Sequence, residues 1–377
     1  MKLRLMLAAF AFAGISSTVF SQQTVPANTK KIQVAILLDV SGSMDGLIEQ
    51  AKSQLWNMVT VLGKAKCATG TPNIEIALYE YGRTTNDSKK GFVKQLSTFT
   101  NDLDKLSAIL FALKTDGGDE YCGHVIKSSL EELQWDNATG NYKVIFIAGN
   151  EDFLQGGIKY TDACAIAKQK GVIVNTIYCG NKMQGVQEHW NLAGECGQGS
   201  YTNINQDAKE EDINTPYDSA MYVMNSKLNQ TYIGYGYDGL ANTVRMEEVD
   251  KMNSQKSKKA GLTRANAKAS AVYSNSSWDL VDAKNADSTV FKKLDYKTLP
   301  DSLRNKSEKE LRAIVEQKGK ERGAIQKEIG NLNALRNNYI AEERKRRAIA
   351  ANNEATLETE IEKILKEQAK RFNITIE

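Results

Sequence analysis

The stretch that decides the fold is Ile32 to Asp45, IQVAILLDVSGSMD. Between Val34 and Val40 every side chain except Asp39 is aliphatic. An uninterrupted apolar run closed by a turn is the pattern of a strand buried on both faces, as in a parallel α/β sheet. It ends in Asp39, Ser41 and Ser43, with Gly42 between the two serines. One carboxylate and two hydroxyls at alternate positions form a hard-oxygen cluster suited to Mg²⁺. The carboxyl end of such strands is also where open α/β sheets bind their ligands.

The segment DVSGSM resembles the D-x-S-x-S core of the metal-ion-dependent adhesion site in von Willebrand factor type A domains. That resemblance implies a Rossmann-like, doubly wound α/β domain over roughly residues 30–232, with metal ligands on three loops. Asp39, Ser41 and Ser43 match the first loop residue by residue. The second, Lys114 to Gly123, reads KTDGGDEYCG and resembles a G-G-G-D-x-P-E variant, which implies Asp119 as ligand with Thr115 and Asp116 as alternatives. The third departs from the usual Thr-Asp-Gly: here Ala148-Gly149-Asn150-Glu151-Asp152 follows the strand, so Asn150 or Glu151 stands in. The resemblance implies Mg²⁺, or else Mn²⁺ or Ca²⁺, completed by an acidic side chain of a protein partner. The two departures suggest an atypical, bacterial-type secreted subgroup.

The pattern along the chain agrees. Residues 46–62, 103–113, 125–133, 160–170, 186–193 and 216–230 carry apolar residues at helical spacing. Residues 73–81, 142–148 and 172–178 read as strands, with short ones expected at 92–99 and 200–204. Strand and helix alternate, which predicts a mostly parallel sheet with right-handed crossovers.

Composition is that of an ordinary globular chain of 377 residues, 41% hydrophobic and 25% charged, long enough for about two domains. Lys2 and Arg4 precede an apolar run to Ile15, followed by small and polar residues. This predicts a signal peptide over residues 1–21, and hence an exported protein, periplasmic or secreted. No later stretch approaches membrane-spanning length. With 49 Lys and Arg against 46 Asp and Glu the chain is near neutral, which gives no case for nucleic-acid binding. The five cysteines, Cys67, Cys122, Cys164, Cys179 and Cys196, form no C-x-x-C pair and so no structural zinc site. An oxidising compartment permits a disulfide: one reading pairs Cys122 and Cys179 with each other or with Cys164, and the alternative is a redox site.

Beyond the α/β region, residues 233–300 include a basic stretch from Lys251 to Lys268 with no acid inside it, which reads as a solvated linker. Short strands or turns are expected at 271–273 and 277–281. In residues 301–377 Ser307 and Glu310 form a capping box, and apolar residues recur at helical spacing on either side of Asn352-Asn353. This predicts an antiparallel helical hairpin, or a coiled coil through which the chain forms oligomers. His124 and His189 have no visible Ser or Cys partner, and no phosphate-binding glycine motif follows the first strand, so an enzyme is not expected. Two functions remain: a metal-dependent protein-binding module, and a scaffold that binds through its C-terminal helices.

Overall fold

The computed structural model describes residues 30–68, 70–207, 212–347 and 356–376. The predicted signal peptide and the Asn352-Asn353 turn lie outside the described residues. The strands are β1 Lys31–Asp39, β2 Ala65–Lys66, β3 Asn73–Tyr81, β4 Lys94–Thr100, β5 Tyr142–Gly149, β6 Ile173–Cys179, β7 Gln198–Ile204 and β8 Thr375–Ile376. Six of them form one sheet in the order β4-β3-β1-β5-β6-β7. All neighbours are parallel except β4, which runs antiparallel to β3 at one edge. The helices that follow or join these strands are α1 Asp45–Leu62, α2 Leu103–Ala112, α3 Cys122–Glu132, α4 Tyr160–Lys170, α5 Lys182–Gln187, α6 Trp190–Cys196 and α7 Asp218–Asn229. This is the predicted doubly wound, mostly parallel α/β sheet.

Period two along β1 sends alternate side chains to opposite faces. Val34 and Leu38 join a core shared with Leu55 of α1 and Leu106 of α2. Ala35 and Leu37 join the other, with Val125 of α3 and Trp190 of α6. The two layers bury the sheet on both sides, as a continuous apolar run requires.

The region after α7 differs from its reading as a linker. It holds α8 Gly239–Lys256, α9 Lys258–Lys268, α10 Leu280–Ala286 and α11 Asp301–Arg304. The basic stretch is helical, and two of its cations lie inside the protein. Arg264 is 1% exposed and bonds Asp104 at 2.7 Å and also Asp250; Lys268 reaches Asp250 at 2.8 Å. Residues 271–273 form a turn, and 280–286 form a helix rather than a strand.

The C-terminal helices are α12 Glu308–Arg346 and α13 Leu357–Ala369. The predicted capping box closes the start of α12. The two helices do not use each other as their main packing partners, as a hairpin would. Helix α12 lies against α7, α9 and α10, whereas α13 packs on α1 and β7. Leu357, Ile361, Leu365 and Ala369 complete the core beneath β1 and β5. Arg322, which breaks the apolar stripe of α12, is buried and bonds Asp279 at 2.7 Å and Asp282 at 2.6 Å. Finally β8 pairs with β2.

The disulfide is Cys164–Cys196, tying α4 to α6. Cys122 and Cys179 are buried thiols, so they pair neither with each other nor with Cys164.

Candidate metal centre

Three loops meet at the carboxyl ends of β1, β3 and β5. The register pairs Asp39 with Tyr81 and Leu38 with Ala148, so their ends are level. The loop after β1 is held at its base. Val40 N–H donates to Tyr81 O at 2.9 Å, and Ser41 N–H donates to Asp39 Oδ1 at 2.8 Å. Asp39 is wholly buried and Ser41 nearly so. Ser41 Oγ lies 3.2 Å from Ser43 Oγ, and Ser43 Oγ donates to Asn150 Oδ1 at 3.3 Å. Four of the five residues singled out from the sequence, Asp39, Ser41, Ser43 and Asn150, are thus contiguous.

Asp119 is not with them. It is exposed, and its carboxylate accepts a hydrogen bond from Tyr121 Oη at 3.0 Å. The next residue, Glu120, takes the inward position and is 8% exposed. A Cβ on Gly82 would sit 3.0 Å from both Asp39 Oδ1 and Glu120 Cγ, so the two acids flank that glycine. The register of the second loop is set by glycine packing: a Cβ on Gly118 would lie 2.4 Å from Gly82 O. The loop is anchored to the first by Asp116 N–H, which donates to Val40 O at 2.8 Å. Thr115 Oγ1 bonds the Asp45 carboxylate, and Asp116 accepts from Thr84 Oγ1 at 3.2 Å. The only sequence signal for Glu120 was its place beside Asp119 in a glycine-rich loop, which does not fix which acid turns inward.

Electrostatics mark the same spot. Burial, with Glu151 nearby, pushes the Asp39 carboxyl up to about 7 despite its hydrogen bonds to Ser41. Burial, and then the charges of Asp39 and Glu151, also push Glu120 up to about 7. Asp39 Oδ2 is buried with no hydrogen-bond partner, although the backbone of Asn150 faces the carboxylate. An orphaned carboxylate oxygen costs free energy unless a cation or proton meets it. Among the described residues no group of three or more His, Cys, Asp or Glu is arranged to hold a metal ion. The donor set is instead one buried carboxylate, two hydroxyls and an amide oxygen, with Glu120 adjacent. Such hard oxygens fit Mg²⁺ or Ca²⁺ rather than a soft metal.

The third loop is braced from behind. Trp190 Nε1 donates to Glu151 O at 2.7 Å, and His189 Nδ1 lies 3.0 Å from Asp152 Oδ1. Among the described residues no serine hydrogen-bonds either histidine. Beneath the site Tyr81 Oη donates to Ala148 O at 3.0 Å, and burial pushes the thiols of Cys122 and Cys179 well up. No described helix is long and apolar enough to cross a membrane.

No family model matches the chain, and no curated protein matches it. Solved structures are similar to it over about half its length. BatB from Bacteroides thetaiotaomicron is 14% identical with a TM-score of 0.34, covering 58% of this chain and 99% of its own. A von Willebrand factor type A protein from Catenulispora acidiphila is 13% identical, with a TM-score of 0.34, covering 47% of this chain and 39% of its own. Proximal thread matrix protein 1 of the mussel byssus, with a zinc-occupied metal-ion-dependent adhesion site, is 11% identical with a TM-score of 0.34, covering 48% and 43%. The strand order, the antiparallel edge strand and the D-x-S-x-S loop at the carboxyl end of β1 are features of this chain itself: it carries a domain of the von Willebrand factor type A fold.

Proposed function

We propose that this protein is an extracytoplasmic binding module that captures an acidic group of a protein partner through a divalent cation. Asp39, Ser41, Ser43 and Asn150 would hold the ion, Mg²⁺ or else Mn²⁺ or Ca²⁺, with Glu120 rather than Asp119 as the neighbouring second-loop acid. A bound divalent ion supplies a positive centre for a carboxylate oxygen. The observation that carries this reading is the unpartnered, buried Oδ2 of Asp39 among converging neutral oxygens. The Cys164–Cys196 disulfide supports an oxidising compartment, in keeping with the signal-like residues 1–21.

Thermal melts of the wild type and Asp39→Ala with Mg²⁺, Mn²⁺, Ca²⁺ or EDTA test it. Saturating ion should stabilise the wild type by about 3 kcal/mol at a hundredfold excess over Kd, and Asp39→Ala not at all. No response of the wild type to any of the three ions, or to EDTA, overturns the reading. A pull-down with and without EDTA then asks whether the partner needs the ion.

A scaffold role through the C-terminal helices is favoured by one observation. Val223 on α7 and Leu335 and Tyr339 on α12, two helices that pack together, are large apolar side chains exposed by 51%, 47% and 39%. Truncation cannot test it, because α13 belongs to the core. Leu335→Glu with Tyr339→Glu can: partner loss in that variant, but not in EDTA, supports the scaffold.

A further inference from the structure

A second surface at the same end of the sheet gathers exposed lysines along a groove. Residues 84–95 and the outer side of α3 enclose an open groove of about 800 Å³. Lys89, Lys90 and Lys94 line one wall and Lys127 the other. Three acids line it as well, each held in place by a local bond. Asp87 caps the turn at Ser88–Lys90 by accepting from Lys89 N–H at 2.9 Å, and Glu132 accepts from Tyr79 Oη at 3.0 Å. Glu131 faces Lys127 at 3.9 Å. Lys89, Lys90 and Lys94 are exposed and have no acidic partner among the described residues. Against Asp87, Glu131 and Glu132 the four lysines leave the groove a small positive excess, gathered at Lys89, Lys90 and Lys94 on one wall.

The walls are fixed before any ligand arrives. Gly91, at φ 70°, lies so close to the His124 ring that a Cβ there would meet it at 2.5 Å. Phe92 and His124 both pack on Tyr121, with ring centroids 5.8 Å and 5.3 Å apart. A preformed groove spares a ligand the cost of ordering it. One wall is also the start of β4, the last strand of the sheet, and no described strand pairs with its outer edge. Such an edge presents unpaired N–H and C=O groups that only an extended backbone can match. No arginine lines the groove, so its cations act as point charges, and the strand edge rather than the charge selects an extended peptide.

We infer that the groove between β4 and α3 binds an extended, acidic peptide segment of a protein partner, its carboxylates facing Lys89, Lys90, Lys94 and Lys127 and its backbone beside β4. The proposal stands without the metal. The register of Glu80 with Lys94 and of Tyr81 with Asp39 nonetheless puts both sites at one end of the sheet.

The experiment is fluorescence anisotropy of a labelled deca-glutamate peptide with the full chain, in EDTA throughout so that the metal reading is not tested with it. Wild type should bind the L-peptide, more weakly as salt rises. Lys89→Gln/Lys90→Gln/Lys94→Gln should bind at least tenfold more weakly, whereas Lys297→Gln/Lys306→Gln/Lys309→Gln, exposed elsewhere, should stay within twofold. The D-peptide should bind at least fivefold more weakly than the L-peptide. Equal binding by both triple variants overturns the site. Equal binding of L- and D-peptides, or full competition by tripolyphosphate at matched charge, overturns the peptide assignment. A groove variant that self-associates but keeps its peptide affinity shows that the lysines only guard the strand edge, which also overturns it.

Discussion

Asp39 lies between Gly82 and Gly149 because its carboxylate fills the space their side chains would take. A Cβ on Gly149 would sit 2.9 Å from Asp39 Oδ2 and 2.5 Å from Tyr81 Oη. Gly149→Ala should therefore cost about 1–3 kcal/mol in urea denaturation and blunt the cation response. Gly42→Ala, with nothing within 4 Å of its Cβ, should stay within about 0.5 kcal/mol. The raised carboxyls of Asp39 and Glu120 fix a pH dependence. Their unfolded values lie near 4, so between about pH 4 and 7 the cation-free fold holds more protons than the unfolded chain. Their contribution to stability is thus greatest at the acid end and falls as pH rises through that window. Melts across it in EDTA should show this decline, and saturating Mg²⁺, which binds the ionised form, should offset it. At this scale the sequence was informative where spacing is local. Asp39, Ser41 and Ser43 share one turn, and the turn fixes their mutual placement. Asp119 and Glu120 are adjacent, and which one faces inward depends on Gly118 packing against Gly82, a contact between distant segments.

Elements show the same division. The apolar runs of β1, β5 and β6 identified themselves because burial on both faces favours aliphatic residues, and the polar residues that β6 buries, Asn175 and Thr176, are hydrogen-bonded to Gln368 and Trp190 O. The stretch from Lys251 to Lys268 misled because its charge is answered by one acid far along the chain and by another just before the stretch, turned toward it by the packing of two helices. Asp104 comes from α2 and Asp250 from α8, and both meet Arg264, which also lies 4.3 Å over the Trp56 ring. Burial opposes the Arg264 charge, but these two acids hold it protonated, and Asp250 in turn is kept well below the ordinary carboxylate range despite its own burial. Removing one partner from such a cluster strands the others without solvent. Arg264→Ala should cost about 3–5 kcal/mol by chemical denaturation. Arg264→Lys should recover only part of that, because one ammonium cannot reproduce bonds to Asp104, Asp250 and Met246 O. A loss below about 1 kcal/mol for Arg264→Ala would contradict the cluster's role.

Over the whole molecule, the C-terminal segment belongs to the domain. The capping box and apolar spacing announced the two helices, but not their docking, since a stripe of leucines fits a neighbouring helix or a sheet equally well. Leu365, wholly buried in the main core, is the direct probe. Leu365→Ala should cost about 2–5 kcal/mol and lower a single transition followed by both tryptophan fluorescence and far-ultraviolet dichroism. A variant that loses only a minor early transition would mark α13 as an appendage. The pairing of β2 with β8 joins Ala65–Lys66 to Thr375–Ile376 across most of the sequence. Contacts of such span make folding slow, because the intervening chain must be closed before they form. An emerging chain that reaches only to β7 would carry α1 and α2 on that face of its sheet but not α13, leaving an apolar strip open to aggregation or chaperones until α13 follows.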